Sequence, residues 1–475
     1  MTRCVLMALI GLLLVPICAA HDGPPASPTA RSNPTCAASE LSRAQSLAAV
    51  ERIINLVRSA HYGGLPRPME SAFEQVRKSL PDRIAEWKLA LQINTVLSIA
   101  HDGHLALRLP PASELVCAKL PLELAWSEAG LLVRQGSAIE AGSRILSLGG
   151  VPLLGLQRKA EESIPHENIY WVRHVFARQI ARSDQVLAYG IASADGGVDA
   201  VYETPDGHRR SAHLVLQSKP AVDDQAITWQ ISNASSTAVL RLPNLESSAK
   251  NSERVSAFFR EVIAKKLAKV AIDLRGNPGG EGSVVIAVLR HLGLSTFDCY
   301  ALDVRPSPEL HAEQPSFDIT KIAPVFQAAG LQPPKPGALT YRLPGNLVLA
   351  GIGKELGPPP KELAAGRRLY LLVDGGTFSS AALFALLVRD NALGTLVGEP
   401  IGTSTSFNGG ELDIPIPNLE YFLSLSAGYL VRPKPEFGES PTLIPDIFLP
   451  VTTESLRSGR DPAVEYLLGA APGKG

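Results

Sequence analysis

The sequence predicts an α/β chain of several domains, and three observations predict it. Residues 369–373 form an apolar run that stops at Asp374-Gly375-Gly376-Thr377, and an Ala/Leu-rich run starts at once behind Ser379 and Ser380: strand, tight turn, helix. Residues 270–274 repeat the arrangement, running into Arg275-Gly276-Asn277-Pro278-Gly279-Gly280 with a helical pattern over 282–294. Upstream, a helical stretch precedes a β-rich one, so the α/β core is joined to units of other classes. At 475 residues the chain exceeds what one hydrophobic core supports, and two or three domains are expected.

A serine where a buried strand turns into a helix sits among unpaired N–H groups at the positive end of the helix dipole. Negative charge is favoured there. A hydroxyl attacking a carbonyl creates such charge, and donors aimed at it supply a large part of catalysis. The plainer reading is that Ser379 or Ser380 only caps its helix. Both readings stand at this point.

Composition narrows the partners. Lys and Arg total 45 against 46 Asp and Glu, a net charge of -1. Counterion-release binding needs a basic face, so nucleic acid is not an expected partner.

At the N-terminus, Arg3 precedes an apolar run over 5–17, and Cys18-Ala19-Ala20 offers small residues for cleavage. Residues 1–20 read as a secretory signal peptide, too short to span a bilayer. Pro16 and Ile17 make a poor lipoprotein pattern before Cys18, so no stable membrane anchor is expected after cleavage. Cys36, Cys117 and Cys299 then remain. They make no metal cluster, and Cys36 with Cys117 is the more plausible bridge in an oxidising compartment.

A Pro/Ser/Ala-rich linker, 21–39, leads to helical periodicity over 41–59, 69–80 and 83–99, an N-terminal helical domain of 40–115. It ends at His101-Asp102-Gly103-His104, before alternating Leu105, Leu107 and Leu109. The turn reads as a solvated polar turn, as metal ligands, or as the source of a catalytic base, since histidine titrates near neutrality. No third ligand stands at a recognisable zinc spacing, so no metal or other cofactor is expected.

Residues 118–220 are β-rich, with strands at 131–133 and 198–203 and a helix over 167–181. Within them, Ala141-Gly142-Ser143-Arg144-Ile145-Leu146-Ser147-Leu148-Gly149-Gly150-Val151-Pro152 resembles the strand and hairpin of PDZ domains, which add a peptide to a sheet edge. Any small β-domain with a Gly-Gly hairpin reads the same way.

Residues 226–455 alternate strand and helix. The Gly279-Gly280 loop allows close backbone approach to a ligand. It lacks the Lys-Ser/Thr of a P-loop and the G-x-G-x-x-G spacing, which argues against nucleotide. A proline-dense insertion, 304–360, shows little periodicity and is expected to cover or flank the site. Residues 456–475 read as a C-terminal tail.

Taken in order, DLRGNPGG at 273–280, TFSSAA at 377–382, LVGEPIGT at 396–403 and IPDI at 444–447 resemble the motifs of the C-terminal processing peptidases, or tail-specific proteases. Asp102-Gly103-His104 ahead of a PDZ-like segment is similar to the branch that includes tricorn-core-like and interphotoreceptor-retinoid-binding-protein-like members. The resemblance implies a crotonase-like ββα catalytic core and a serine peptidase acting on a peptide or protein. It puts the nucleophile on Ser379 and the oxyanion donors on Ser380 and on Gly279 or Gly280.

One departure is informative. The bacterial tail-specific type uses a lysine base, and here that segment reads Gly402-Thr403-Ser404-Thr405. Without a base a serine hydroxyl is a weak nucleophile. The tricorn-like branch takes a histidine from the N-terminal part, which falls on His104, and an acidic residue before the terminal PD motif, which falls on Glu439, with Glu436 as the fallback. That branch also has a serine beside its histidine, where this chain has Gly103. The expected activity is that of a secreted or periplasmic serine endopeptidase. Two alternatives remain: a non-catalytic binder of lipophilic ligands or peptides on the same fold, and a crotonase-like acyl-ester or thioester hydrolase.

Overall fold

The computed structural model describes residues 39–110, 113, 116–218, 226–335 and 337–469. The expected signal peptide, nearly all of the linker and Cys36 lie outside them. Cys117 is disulfide-bonded, and Cys299 is a free, buried thiol. No helix among the described residues is long and apolar enough to cross a membrane.

The first unit comprises β1 (Glu40–Ser42), α1 (Arg43–Ala60), α2 (Arg67–Ser79), β2 (Arg83–Ala85), α3 (Glu86–Leu97) and β3 (Ala106–Arg108). α1 starts at a capping box: Ser42 and Gln45 each accept the other's backbone N–H. One stripe of α1, with Val50, Ile53 and Val57, is fully buried. The helix expected from residue 83 starts later because Arg83–Ala85 pairs with Glu40–Ser42. After α3, His101 takes a left-handed conformation (φ 49°) and turns the chain toward β3.

The second unit contains β4 (Ala118–Lys119), β5 (Leu122–Ser127), β6 (Gly130–Gly136), β7 (Arg144–Leu148), β8 (Val151–Pro152), α4 (Leu153–Ser163), α5 (Ile169–Gln179), α6 (Ser183–Ala188), β9 (Val198–Glu203), β10 (Arg209–Leu214) and β11 (Gln217–Ser218). Its antiparallel sheet runs β10-β9-β7-β6-β5, with β8 folded back on β7. Leu131, Val133, Ile145 and Phe176 lie in a core of its own.

The third unit follows as β12 (Thr228–Ser232), β13 (Thr237–Arg241), α7 (Ala249–Ala264), β14 (Lys269–Asp273), α8 (Gly282–His291), β15 (Ala301–Val304), α9 (Pro308–Glu313), α10 (Ile319–Ala328), β16 (Tyr341–Leu343), α11 (Gly345–Glu355), β17 (Arg368–Val373), α12 (Ser380–Asp390), β18 (Gly394–Gly398), β19 (Phe407–Pro415), β20 (Phe422–Val431), β21 (Ile447–Phe448), α13 (Thr453–Ser458) and α14 (Pro462–Leu468). One sheet runs β12-β13-β14-β17-β18-β21 and is parallel from β13 onward. β14 and β17 are neighbours in it, so the loops at their carboxyl ends emerge side by side. A second sheet runs β16-β15-β20-β19, and β3 from the first unit pairs with β20.

The proline-dense insertion is more regular than its composition suggests. It holds α9, α10, α11 and β16, and Pro308 and Pro344 stand at helix starts, where a missing N–H costs nothing. Nor do all the residues past 455 hang free. Ala463 and Leu467 of α14 pack on Val239, Ala271, Leu372 and Val397 of the parallel sheet. Asp461, ahead of α14, grips Arg275 at 2.7 and 2.9 Å.

Candidate active site

The turn after β17 is tied to the loop after β14. Asp374 Oδ1 accepts from the amides of Gly276 (2.8 Å) and Gly376 (2.9 Å). Thr377 Oγ1 donates to the Leu274 carbonyl (2.9 Å), and the Phe378 amide donates to the Asn277 carbonyl (3.0 Å). Ser379 then takes φ 51° and ψ -126°, a region an L-residue adopts only when its surroundings hold it there. Its side chain makes no capping bond to α12, so capping does not explain it.

The Gly-Gly loop backs onto this turn. Gly279 has φ 106°, and a Cβ there would lie 2.7 Å from Ser379 Cβ and 3.0 Å from the Ser380 nitrogen. Only glycine permits that approach. The Gly279 amide donates to Asn277 Oδ1 (2.8 Å), while Asn277 Nδ2, fully buried, donates to the Leu242 carbonyl (2.8 Å). Among the described residues the Gly280 and Ser380 amides have no acceptor.

His104 reaches the site because β3 is held twice. Ala106 and Leu107 pair with Ser424 and Leu423 of β20, and Asn94 of α3 bonds both the N–H (2.7 Å) and the C=O (3.1 Å) of Leu107. Asp102, fully buried, accepts the His104 amide at Oδ1 (2.8 Å) and faces His61 Nε2 at Oδ2 (3.0 Å). The His104 Nδ1 lies 3.5 Å from Asp102 Oδ1, at the outer limit of a hydrogen bond. The ring is 1% exposed, with Phe378 at 4.5 Å and Phe407 at 6.1 Å between centroids. Phe378 in turn stacks on Trp171 of α5 at 3.9 Å. The imidazole thus abuts the residue before Ser379, with no hydrogen bond between the two among the described residues.

The second unit adds a carboxylate. Glu167 precedes Asn168, whose side chain caps α5, and Glu167 Oε2 accepts the Ser404 amide (3.0 Å). Burial pushes the Glu167 carboxyl up to about 8, against the pull of the His104 charge, and Asp102 adds to the rise. Burial also pulls His104 down, but the Asp102 carboxylate and the charges of Glu411 and Glu167 outweigh it and leave the ring above its ordinary value. Glu439 stands differently. It is exposed, and it accepts from the hydroxyls of Thr405 (3.1 Å) and Ser406 (2.8 Å), the residues just before Phe407. Glu436, the fallback, lies in the short turn of Pro435–Phe437 and is exposed.

The structure therefore gathers Ser379, Ser380, Gly279, Gly280 and His104, while Glu439 is bonded to Thr405 and Ser406 instead of to the His104 ring. Sequence reasoning missed Asp102 and Glu167. An Asp two residues before a histidine amide is a turn signal that could have found the first. Nothing in the spacing pointed to the second.

Residues 236–447 match the model of peptidase family S41. Mature CPAF in complex with lactacystin is similar over 90% of this chain and 97% of its own, at 14% identity and a TM-score of 0.61. Mature CPAF alone gives 14% identity, 90% and 96% coverage and a TM-score of 0.60. The photosystem II D1 C-terminal processing protease gives 14% identity, 90% and 98% coverage and a TM-score of 0.44. No curated protein matches the sequence. The chain is a serine-type peptidase, a hydrolase of peptide bonds. The match to peptidase family S41 covers residues 236–447, just under half of the chain.

Proposed function

We propose that the chain is a secreted or periplasmic serine endopeptidase with Ser379 as nucleophile and His104 as general base, on a crotonase-like core of the tricorn-like branch. His104 takes the Ser379 proton as the hydroxyl attacks the peptide carbonyl and returns it to the leaving amine. The Gly280 and Ser380 amides hold the oxyanion; Gly279, its own N–H spent on Asn277, forms the wall behind the serine. Asp102 faces Nδ1 of the base, and Glu439 positions the segment leading to Phe407. The PDZ-like unit, 118–220, selects or gates the peptide, and α5 gives it direct contact with the nucleophile turn.

The observation that carries this reading is the 4.5 Å separation between the His104 ring and Phe378, the neighbour of Ser379. A fluorophosphonate probe tests it. Mass spectrometry of the labelled protein should find the adduct on Ser379. Peptide hydrolysis with the adduct on Ser380, or with none, would refute the assignment.

The pH profile is a second check. An imidazolium has no lone pair, so activity appears as pH rises through the His104 pKa, which lies above its ordinary 6.5. Asp102→Asn removes a negative charge beside the ring, so the acid limb of kcat/KM should move to lower pH while the plateau falls. An unmoved limb would mean that Asp102 does not face the titrating base.

A further inference from the structure

We propose that Asp102, His104 and Glu167 form a binding site for a zinc-type divalent metal ion, and that filling it switches the peptidase off. The binding half stands on the geometry alone; the inhibitory half rests on His104 being the base.

One ligand-type atom from each of the three residues lies within 4.8 Å of the other two. Four-coordinate zinc at about 2.0–2.1 Å from nitrogen and oxygen separates its ligand atoms by about 3.3–3.4 Å. His104 Nδ1 and Asp102 Oδ1 already stand at 3.5 Å. Small side-chain shifts of Glu167 complete the triangle.

The unpaired atoms point the same way. His104 is 1% exposed, and neither ring nitrogen has a hydrogen-bond partner. Glu167 Oε1 is likewise enclosed and unpartnered. Buried polar atoms are rarely left so, and with one ligand-type atom of each residue in reach of the others they ask for a common occupant. The outer contacts suit a metal. His61 bonds the far oxygen of Asp102 and the Ser404 amide bonds the far oxygen of Glu167, which orients both carboxylates. One imidazole with two carboxylates is a donor set for zinc, whereas magnesium and calcium favour oxygen alone.

The consequence for chemistry follows from the ring. A neutral imidazole has one lone pair, and the metal takes it. The other nitrogen keeps its hydrogen and can accept nothing from Ser379. Because Glu167 belongs to the second unit and Asp102 to the first, the ion would also bridge the two.

Zinc added to the purified protein, in competition with a chromophoric chelator, tests the binding, and cobalt(II) reports the geometry. The expected result is one equivalent per chain and the visible spectrum of four-coordinate cobalt. Glu167→Gln and Asp102→Asn should each weaken zinc by at least about ten-fold. His213→Ala should leave it unchanged, although that exposed ring lies 2.9 Å from Asp195 and 2.8 Å from Asp199. Absence of stoichiometric zinc, six-coordinate cobalt, or binding lost in His213→Ala but kept in Glu167→Gln would overturn the site. Should the Glu167 variant not fold, the cobalt spectrum of the unaltered protein decides. Zinc should suppress peptide hydrolysis at the concentration that half-fills the site, and a chelator should restore it. Binding without inhibition would overturn the switch. Absence of hydrolysis even in chelator would count against the peptidase reading and leave the binding result standing.

Discussion

Ser379→Ala is expected to lower kcat by about 10⁶-fold, to what substrate binding and the oxyanion amides support alone. That is about 8 kcal/mol of transition-state stabilisation. His104→Ala should cost nearly as much, and the double variant no more than either single one, because in the proposed roles nucleophile and base act as a unit. Measured kcat values for the three proteins decide it. Losses that multiply in the double variant would show that the two side chains serve different steps. The Ser379 hydroxyl makes no bond to its helix, so circular dichroism and the melting temperature of Ser379→Ala should match the parent.

Gly279→Ala should be the next most damaging change. The added methyl would stand 2.7 Å from Ser379 Cβ, at a backbone φ of 106° that alanine resists. Either the loop retreats, carrying the Gly280 amide with it, or the serine moves. Loss of the proposed oxyanion donor and misplacement of the proposed nucleophile should together lower kcat by about 10³-fold or more. The strained backbone should also lower stability by about 1–3 kcal/mol, read as a shift in the denaturant midpoint. Near-normal turnover would mean that this loop does not shape the site.

Much of the architecture was legible in the sequence where a periodic pattern meets a sharp stop. The run ending at Asp374 and the one ending at Arg275 read as strands with loops at their ends, and they are β17 and β14. Buried parallel strands are continuous apolar runs, which is why they stood out. Local periodicity carries no information about partners far apart in the chain. The pairing of β3 with β20, which brings His104 toward the serine turn, was not read at all; His104 itself was reached only through a resemblance and the missing lysine. Glu167 was read only as the start of a helix, because its company with Asp102 and His104 exists only once two units have docked. In the insertion, prolines at helix starts looked like breakers and hid α9 and α11. Glu439 was drawn from a motif, and its bonds to Thr405 and Ser406 could not be seen without coordinates.

The β3–β20 ladder has a consequence for how the enzyme comes into being. Its two strands stand near opposite ends of the polypeptide, and such distant pairings form late. The segment carrying His104 is therefore made long before the strand that holds it, and the proposed base cannot be set beside Ser379 until Ser424 has been made.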